Sequence, residues 1–584
     1  MSAATASGEA GGEPGADASI ADASAASGDG RAWLTGLVGL ALLLAAFPPV
    51  DLWVLGMLAP WPLALFAVQA RSGARAFGRF CVVGVGIIAG GSWWLSETHV
   101  FNLAVVTVVE APLVGLFGWA AWRVLRTGAV FPALPVLWTA HEMIRMSWPE
   151  TGYGWVLLGQ ALAASPVLVQ VADLGGVLAV TFVGASLAAA VWSFRSGRPG
   201  RLPAAGVVAF ALLYGVVRPA TLGEPAPGPL LATVQPGFPQ ELKESADAAP
   251  LRWERCTELA RELAAAHPDT DLLVFPETMW PWALLLDGGP PGQDPGEGAA
   301  GASDAEDPEG PTRRRVVAEE DAAMAVRRTE LVEAFRAAGA PAPGPSLLLG
   351  APGFLLERLG QLRDTRTLRG VNTAVLHAPD GALLGRYDKH ILIPGGETIP
   401  FRGTLPEAVR AWLDRMVRDL AGFLPDLSPG PGPRLLELPG PDGPLPFGVT
   451  ICFENAYGGY TGEFVARGAR FLVNLSNEGW FGTSPEFDHM ELQSVLRAVE
   501  TRRALFRSTN TGISCLVRPD GHRPTGADRL EVGGEDRGVA GAFAARVPLH
   551  DDGSLYVLWG DLPGWLCIAG GAWLLVRRRR SRVS

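Results

Sequence analysis

Between Ala32 and Arg218 long apolar runs alternate with short polar breaks, and seven stretches read as helices apolar on all faces: 33–48, 52–70, 80–96, 103–122, 130–147, 171–194 and 203–217. An eighth, 555–576, precedes the run Arg577, Arg578, Arg579, Arg580. Helices without a polar face need an apolar surround, so membrane spans are expected, although several fall short of the roughly 20 residues that cross a bilayer. The period changes after 218. Short apolar strands at 230–235, 271–275, 346–350, 371–376, 446–451 and 470–474 alternate with helical stretches near 250–266, 316–338, 459–467 and 487–505, which predicts an α/β domain. A Gly/Pro/Asp/Glu tract between Leu284 and Pro311 breaks all periodicity and is expected to be a solvated insertion, 284–311. Residues 1–31 are Ala/Gly/Ser-rich with several acids, which predicts a disordered tail and not a cleavable leader, since a leader starts with positive charge. The expected layout is a tail at 1–31, a transmembrane domain at 32–218, an outer domain at 219–554, a last span at 555–576 and a basic tail at 577–584.

Charge placement tests this layout independently of hydropathy. Arg71, Arg75 and Arg79, then Arg123 and Arg126, then Arg195, Arg198 and Arg201 fall in alternate breaks, and the breaks between them (48–51, 97–102, 148–170) hold no Lys or Arg. Basic residues collect on the cytoplasmic face. Both termini are therefore expected inside, and seven preceding spans put 219–554 outside. A bundle of buried core helices in a soluble protein gives no such segregation.

Composition narrows the function. The 584 residues are 48% hydrophobic with net charge -11 and no basic block outside short loops and the C-terminal tail, so nucleic acid is not an expected partner. The five cysteines, Cys81, Cys256, Cys452, Cys515 and Cys567, stand singly, without a paired spacing and without histidines at ligand spacing; neither a disulfide framework, a metal site nor a cofactor is indicated. Of 48 basic residues only Lys243 and Lys389 are lysine. In a chain that writes arginine almost everywhere, a retained lysine is a candidate for chemistry a guanidinium cannot perform. Chance retention on a surface fits Lys243.

Three strand ends present reactive side chains: Glu277 in LLVFPETMWPW, Lys389 in GRYDKHILIPGGETIPF and Cys452 in FGVTICFENAYGG. A cysteine nucleophile needs a base for its proton, a cation for the thiolate and the developing oxyanion, and nearby backbone N–H donors. Glu, Lys and Cys fill the first three roles. Singly, each also fits a plain role: a buried apolar cysteine, a carboxylate after Pro276, a surface ammonium.

Together they resemble the carbon-nitrogen hydrolase (nitrilase) superfamily, which carries Glu, Lys and Cys in this chain order on an α-β-β-α sandwich. With membrane spans before and one after, the whole of 32–576 resembles the apolipoprotein N-acyltransferase family, through LWTAHEMIR (137–145), VQPGFPQ (234–240), VNTAV (371–375), KHILIPGGETIPF (389–401), ICFEN (451–455) and NLSNEGWFG to RSTNTG (474–512). The resemblance implies a multi-span α-helical membrane domain plus a nitrilase-like sandwich in the bacterial cytoplasmic (inner) membrane, with the sandwich on the periplasmic face. It also implies acyl transfer from a phospholipid to the N-terminal S-diacylglyceryl cysteine of a prolipoprotein, through a thioester on Cys452. In that scheme Glu277 is the base, Lys389 and the Phe453 N–H hold the oxyanion, and Glu397, Glu454 and Asn372 are supporting residues. The runner-up is a membrane-tethered amidase or nitrilase with a small soluble substrate. A non-enzymatic transporter or receptor is the third reading, against which no inverted repeat is apparent.

Departures concern the lipid side. The family's Trp after the Pro-Gln pair is absent from ELKES (241–245), and 404–432 is longer than its pattern implies. Within that stretch Val409, Trp412, Leu413, Met416, Val417, Leu420 and Leu424 share one helical face. Its polar face mixes Arg410, Arg415 and Arg418 with Glu407, Asp414 and Asp419, which favours a helix packed on the sandwich over a membrane-surface helix. The run MWPWALLL (279–286), with Trp280 and Trp282, is the better candidate for a lid over an acyl chain. Glu142 and Arg145, at i,i+3 spacing near the outer end of 130–147, are candidate lipid contacts or a plain interfacial pair.

Overall fold

The computed structural model describes residues 16–126, 128–150, 152–244, 248–288, 310–358, 361–362, 368–422 and 424–580. Every apolar stretch is occupied by a helix: Ala16–Leu44, Pro60–Val68, Gly73–Gly91, Val100–Leu125, Ala133–Ser147, Ala172–Ser196, Arg201–Ala220 and Leu562–Arg580. Among the described residues four helical stretches are both long and apolar enough to cross a membrane, Gly73–Gly91, Val100–Leu125, Leu168–Ser196 and Arg201–Ala220. Several boundaries differ from expectation. The first helix begins inside the stretch read as a disordered tail. The stretch 52–70 is split, with Trp53–Gly56 a separate short helix, and the C-terminal span breaks at Gly560, so that Leu555–Trp559 stands apart from Leu562–Arg580. Small residues let the bundle close: a Cβ on Gly118 would sit 2.4 Å from Phe80, and one on Gly84 would sit 2.9 Å from the Ala111 backbone.

The α/β domain that follows the bundle holds two sheets. The first runs β12-β1-β2-β4-β5-β6, with β3 paired to β4, and comprises β1 (Ala226–Gln235), β2 (Leu272–Phe275), β3 (Leu284–Asp287), β4 (Ser346–Leu356), β5 (Arg369–His377), β6 (Leu383–Asp388) and β12 (Gly541–Leu549). The second runs β11-β10-β9-β8-β7, from β7 (Leu435–Leu438), β8 (Leu445–Ile451), β9 (Phe471–Ser476), β10 (Leu505–Thr509) and β11 (Cys515–Val517). Polar side chains bridge the sheets where they face each other, Thr233 to Ser508 at 2.6 Å and Thr509 to Gln235 at 2.9 Å. Helices Ala249–Ala266 and Gly310–Ala337 cover the first sheet through Trp253, Leu259, Leu263, Leu331 and Phe335. Helices Gly458–Ala466 and Glu486–Thr501 cover the second. This is an α-β-β-α sandwich. Of the expected insertion, Leu284–Asp287 is strand β3 and the tract 289–309 lies outside the described residues.

Helix Glu486–Thr501 lies between the second sheet and the bundle and is buried along nearly its whole length, although its sequence is rich in polar groups. One of those groups, Glu500, finds a partner across the junction. Helix Ala172–Ser196 kinks at Gly175 and Gly176, where Gly176 has φ +68 and a Cβ would meet Tyr556 at 2.5 Å. The kink turns the Val177 N–H toward Glu500 (2.9 Å), which also pairs with Arg497. Beside it Asp173 takes Arg502 at 2.7 Å and Arg218 at 2.8 Å. The loops at 48–51 and 148–171 meet the sandwich at this end, through Asp51 with Arg523 and Gln170 with the Asp520 carbonyl. At the opposite end Arg198 binds the carbonyls of Leu125 and Arg126.

Candidate active site

Four strands deliver the candidate residues to one end of the sandwich. β2 stops at Pro276, and Glu277 follows; Gly350 of β4 permits this close turn, since a Cβ there would lie 2.3 Å from the Pro276 carbonyl. β5 supplies Asn372, β6 runs directly into Lys389, and β8 runs into Cys452, which opens the 3-10 turn Cys452–Ala456. Cys452 has φ +50, a left-handed backbone costly for a residue with a Cβ, of the kind that marks a working elbow. The first N–H groups of that turn, Phe453 among them, have no acceptor within it.

Lys389 is wholly buried, and its ammonium donates to Glu397 Oε1 at 2.8 Å and Glu277 Oε1 at 3.3 Å. Asn372 Nδ2 donates to the same two carboxylates at 2.7 Å (Glu277) and 3.3 Å (Glu397), and its carbonyl accepts the Lys389 N–H at 2.8 Å. The second oxygen of Glu277 accepts the Asn477 N–H at 2.8 Å, and that of Glu397 accepts the Ile393 N–H at 2.9 Å. Glu277 is thereby fixed by three donors. Glu454 is a brace. Its oxygens accept Tyr387 Oη and the N–H groups of His390 and Ile451, all at 2.7 Å, and Ile391 N–H at 3.1 Å, joining the Lys389 loop to the Cys452 elbow.

Electrostatics fit a thiol that waits protonated. Burial pushes the Cys452 thiol well above its ordinary pKa, Glu277 pushes it further, and Lys389 and the Ser476 hydrogen bond pull back without prevailing. Burial disfavours the Lys389 ammonium, but Glu397 and Glu277 more than offset this and hold its pKa above the usual lysine value. The site therefore brings together a permanent cation, a thiol and the Glu277 side chain, the groups that nucleophilic catalysis by cysteine requires. If Glu277 is the base, Glu277→Gln is expected to lower turnover, acyl transfer in the scheme that the resemblance implies, by about 10²–10⁴-fold. The same change removes a negative neighbour, so Cys452 alkylation by iodoacetamide near pH 8 should quicken. Lost transfer with slower alkylation would show that the Glu277 charge does not act on the thiol.

Several expectations are corrected. Glu142 and Arg145 are not lipid contacts and do not pair with each other: both are 1% exposed within the bundle. Glu142 accepts Trp138 Nε1 (2.9 Å), Leu158 N–H (2.8 Å) and Thr181 Oγ1 (2.6 Å), whereas Arg145 pairs with Glu110 at 2.5 Å and holds the Trp155 carbonyl at 3.0 Å. Trp280 is no lid either; it is fully buried against Trp253 and Phe275, and Trp282 lies 3.7 Å beneath the Arg327 guanidinium. Lys243 is not a bare surface charge, because its ammonium donates to Thr278 Oγ1 beside Glu277. Its rarity as a lysine was the available signal. Asn477 and Ser476 lie in NLSNEGWFG, a segment that carried the resemblance without an assigned role. Among the described residues no group of three or more His, Cys, Asp or Glu side chains is placed to hold a metal ion.

Comparison with known proteins accounts for both halves. Residues 39–190 match the apolipoprotein N-acyltransferase N-terminal domain, and residues 230–533 match the carbon-nitrogen hydrolase family. The chain is 27% identical to the apolipoprotein N-acyltransferase of Geobacter metallireducens, over 94% of this chain and 96% of that one. It is 26% identical to that of Bradyrhizobium diazoefficiens (83% and 80% covered) and 27% identical to that of Caulobacter vibrioides (83% and 83%). A helical membrane half, a Glu-Lys-Cys sandwich and relatives that run nearly end to end agree: the chain belongs to the apolipoprotein N-acyltransferase family.

Proposed function

We propose that the protein transfers an acyl chain from a membrane phospholipid to the α-amino group of the S-diacylglyceryl cysteine at the N terminus of apolipoproteins. The observation that carries this reading is the Lys389 ammonium buried between Glu277 and Glu397 at the strand ends that also present Cys452. Glu277 takes the thiol proton as Cys452 Sγ attacks the ester carbonyl. Lys389 and the Phe453 N–H stabilise the oxyanion, and the glyceryl oxygen leaves with the proton, so a thioester remains on Cys452. The acceptor amine then attacks the thioester, Glu277 receives its proton, and the amide departs as the thiol re-forms. Asn372 and Glu397 orient the ammonium, and Glu454 fixes the elbow. Water excluded from the buried site separates transfer from hydrolysis.

The reading places eight spans in the bacterial cytoplasmic membrane, both termini inside and the sandwich on the periplasmic face. Reporter fusions at residue 350 are expected to read outside, and fusions after 580 inside. A cytoplasmic residue 350 would end the proposal, because the sandwich would then lie on the wrong side of the membrane for the lipoprotein. The activity test supplies labelled phospholipid and a diacylglyceryl-cysteine peptide to the reconstituted protein. N-acyl peptide is the expected product. Release of free acid without dependence on the peptide, together with rapid cleavage of a small soluble amide, would favour a tethered amidase instead.

A further inference from the structure

The stretch 404–432 forms a helix, Glu407–Ala421, but it is not packed on the sandwich as its mixed polar face suggested. None of its described side chains is buried; Val409 is 44% and Trp412 56% exposed, and Leu413, Met416 and Val417 are only half covered. The comparison within this domain is direct, since helix Ala249–Ala266, which does pack on a sheet, buries Trp253, Cys256, Leu259, Ala260, Leu263 and Ala264. An apolar stripe left in water calls for a covering.

We propose that this covering is the outer leaflet of the bilayer, and that the helix is a membrane-surface foot for the active-site loop; the proposal rests on the reading that the bundle crosses the membrane with the sandwich outside. Three observations carry it. The base of the excursion is tied to the end of the bundle, where the Phe401 N–H donates to Glu150, and Trp148, just after helix Ala133–Ser147, is exposed as is Phe401. The apolar patch thus continues from the place where the bundle leaves the lipid, the level at which Trp residues settle. The excursion leaves the catalytic loop after Phe401, and its C-terminal end returns to it: Leu427 N–H donates to the Glu397 carbonyl at 2.9 Å and Gly430 N–H to the Lys389 carbonyl at 2.8 Å. Finally, Glu407, Asp414 and Asp419 balance Arg410, Arg415 and Arg418, and Asp414 is already held by Arg402 at 2.8 Å. Such a helix enters lipid by burying its apolar face and not by attraction to anionic headgroups. Seated there, it holds Lys389 and Glu397 at the depth where a phospholipid ester lies.

The test uses the full chain in phosphatidylcholine nanodiscs, with an environment-sensitive fluorophore on Val409→Cys or on Arg418→Cys, and the parent chain labelled in parallel as a blank for its native cysteines. Emission at 409 is expected to shift to the blue, to be quenched by a nitroxide lipid, and to be indifferent to high salt, whereas 418 behaves as in water. Equal water exposure at both sites would overturn the proposal. So would shielding of 409 that occurs only after a diacylglyceryl-cysteine peptide is added, since the face would then belong to the acceptor. Trp412→Glu should lower transfer from vesicle phospholipid by about tenfold, the effect of removing an aromatic anchor, while acylation of Cys452 by a soluble short-chain p-nitrophenyl ester is unchanged. Equal loss on both donors would make the helix a brace for the loop and overturn its membrane role. Failure of the functional reading itself would appear elsewhere, as a parent chain that no phospholipid acylates.

Discussion

Protein given phospholipid and no amine acceptor is expected to accumulate one acyl chain on Cys452, and Cys452→Ala to accumulate none. In the proposed mechanism the first half-reaction needs only the thiol, Glu277 and the oxyanion donors, and the second cannot begin without its amine. Intact-protein mass spectrometry should show a fatty-acyl increment that hydroxylamine removes. Addition of a diacylglyceryl-cysteine peptide should discharge it as N-acyl peptide. Cys452→Ser should also fail to turn over, because the thiol is already held above its ordinary pKa by burial and Glu277. A hydroxyl there would be harder still to ionise, and its oxygen ester would be a poorer donor to the amine. A chain that transfers acyl groups with no lipid adduct at Cys452 would sink the thioester route.

Lys389→Arg is expected to be nearly as damaging as Lys389→Ala, each lowering transfer by at least about 10²–10³-fold, the effect of losing one oxyanion donor. The ammonium is a compact donor fixed between Glu397 at 2.8 Å and Glu277 at 3.3 Å, and Lys389 itself has no exposed surface. A guanidinium keeps the charge but is broad and planar and cannot occupy the same point. Lys389→Ala leaves the buried Glu277 and the partly buried Glu397 without a counter-charge, so its melting temperature should also drop. The arginine variant separates the effects, because charge is retained while position is lost. An arginine chain that keeps most activity would remove Lys389 from the mechanism.

What the sequence discloses here follows from what periodicity encodes. Glu277 and Cys452 were legible because each follows an apolar strand, and strand ends are local features; Lys389 follows the mixed strand Leu383–Asp388 and was legible as one of only two lysines. β10 was missed, and the helix expected at 487–505 overran its end as far as Leu505; the left-handed Arg502, φ +52, ends the helix, and no residue type announces that. Hydropathy gives depth along a span but not direction around it. Arg145 was therefore left open between a lipid contact and an interfacial pair with Glu142, when its partner is Glu110 on another helix. MWPWALLL reads alike whether it is destined for lipid or for a protein core, and Trp280 went to the core. The unpacked face of Glu407–Ala421 was obscured for the opposite reason: a mixed polar face speaks against attraction to charged headgroups but not against burial in hydrocarbon.

The junction at the Gly175–Gly176 kink bears on whether this catalytic domain is portable. Asp173, Arg502 and Glu500 are each at most 2% exposed, and the carboxylates and guanidiniums that neutralise them come from both sides of the seam. Severing the chain near 218 and 555 would strand those charges and uncover the bundle-facing side of Glu486–Thr501, a cost of several kcal/mol for each ion left in a poorly solvated setting. The bundle thus completes the layer that covers the second sheet, so bundle and sandwich are expected to unfold as one body, and detergents that loosen the helices are expected to be felt at Cys452.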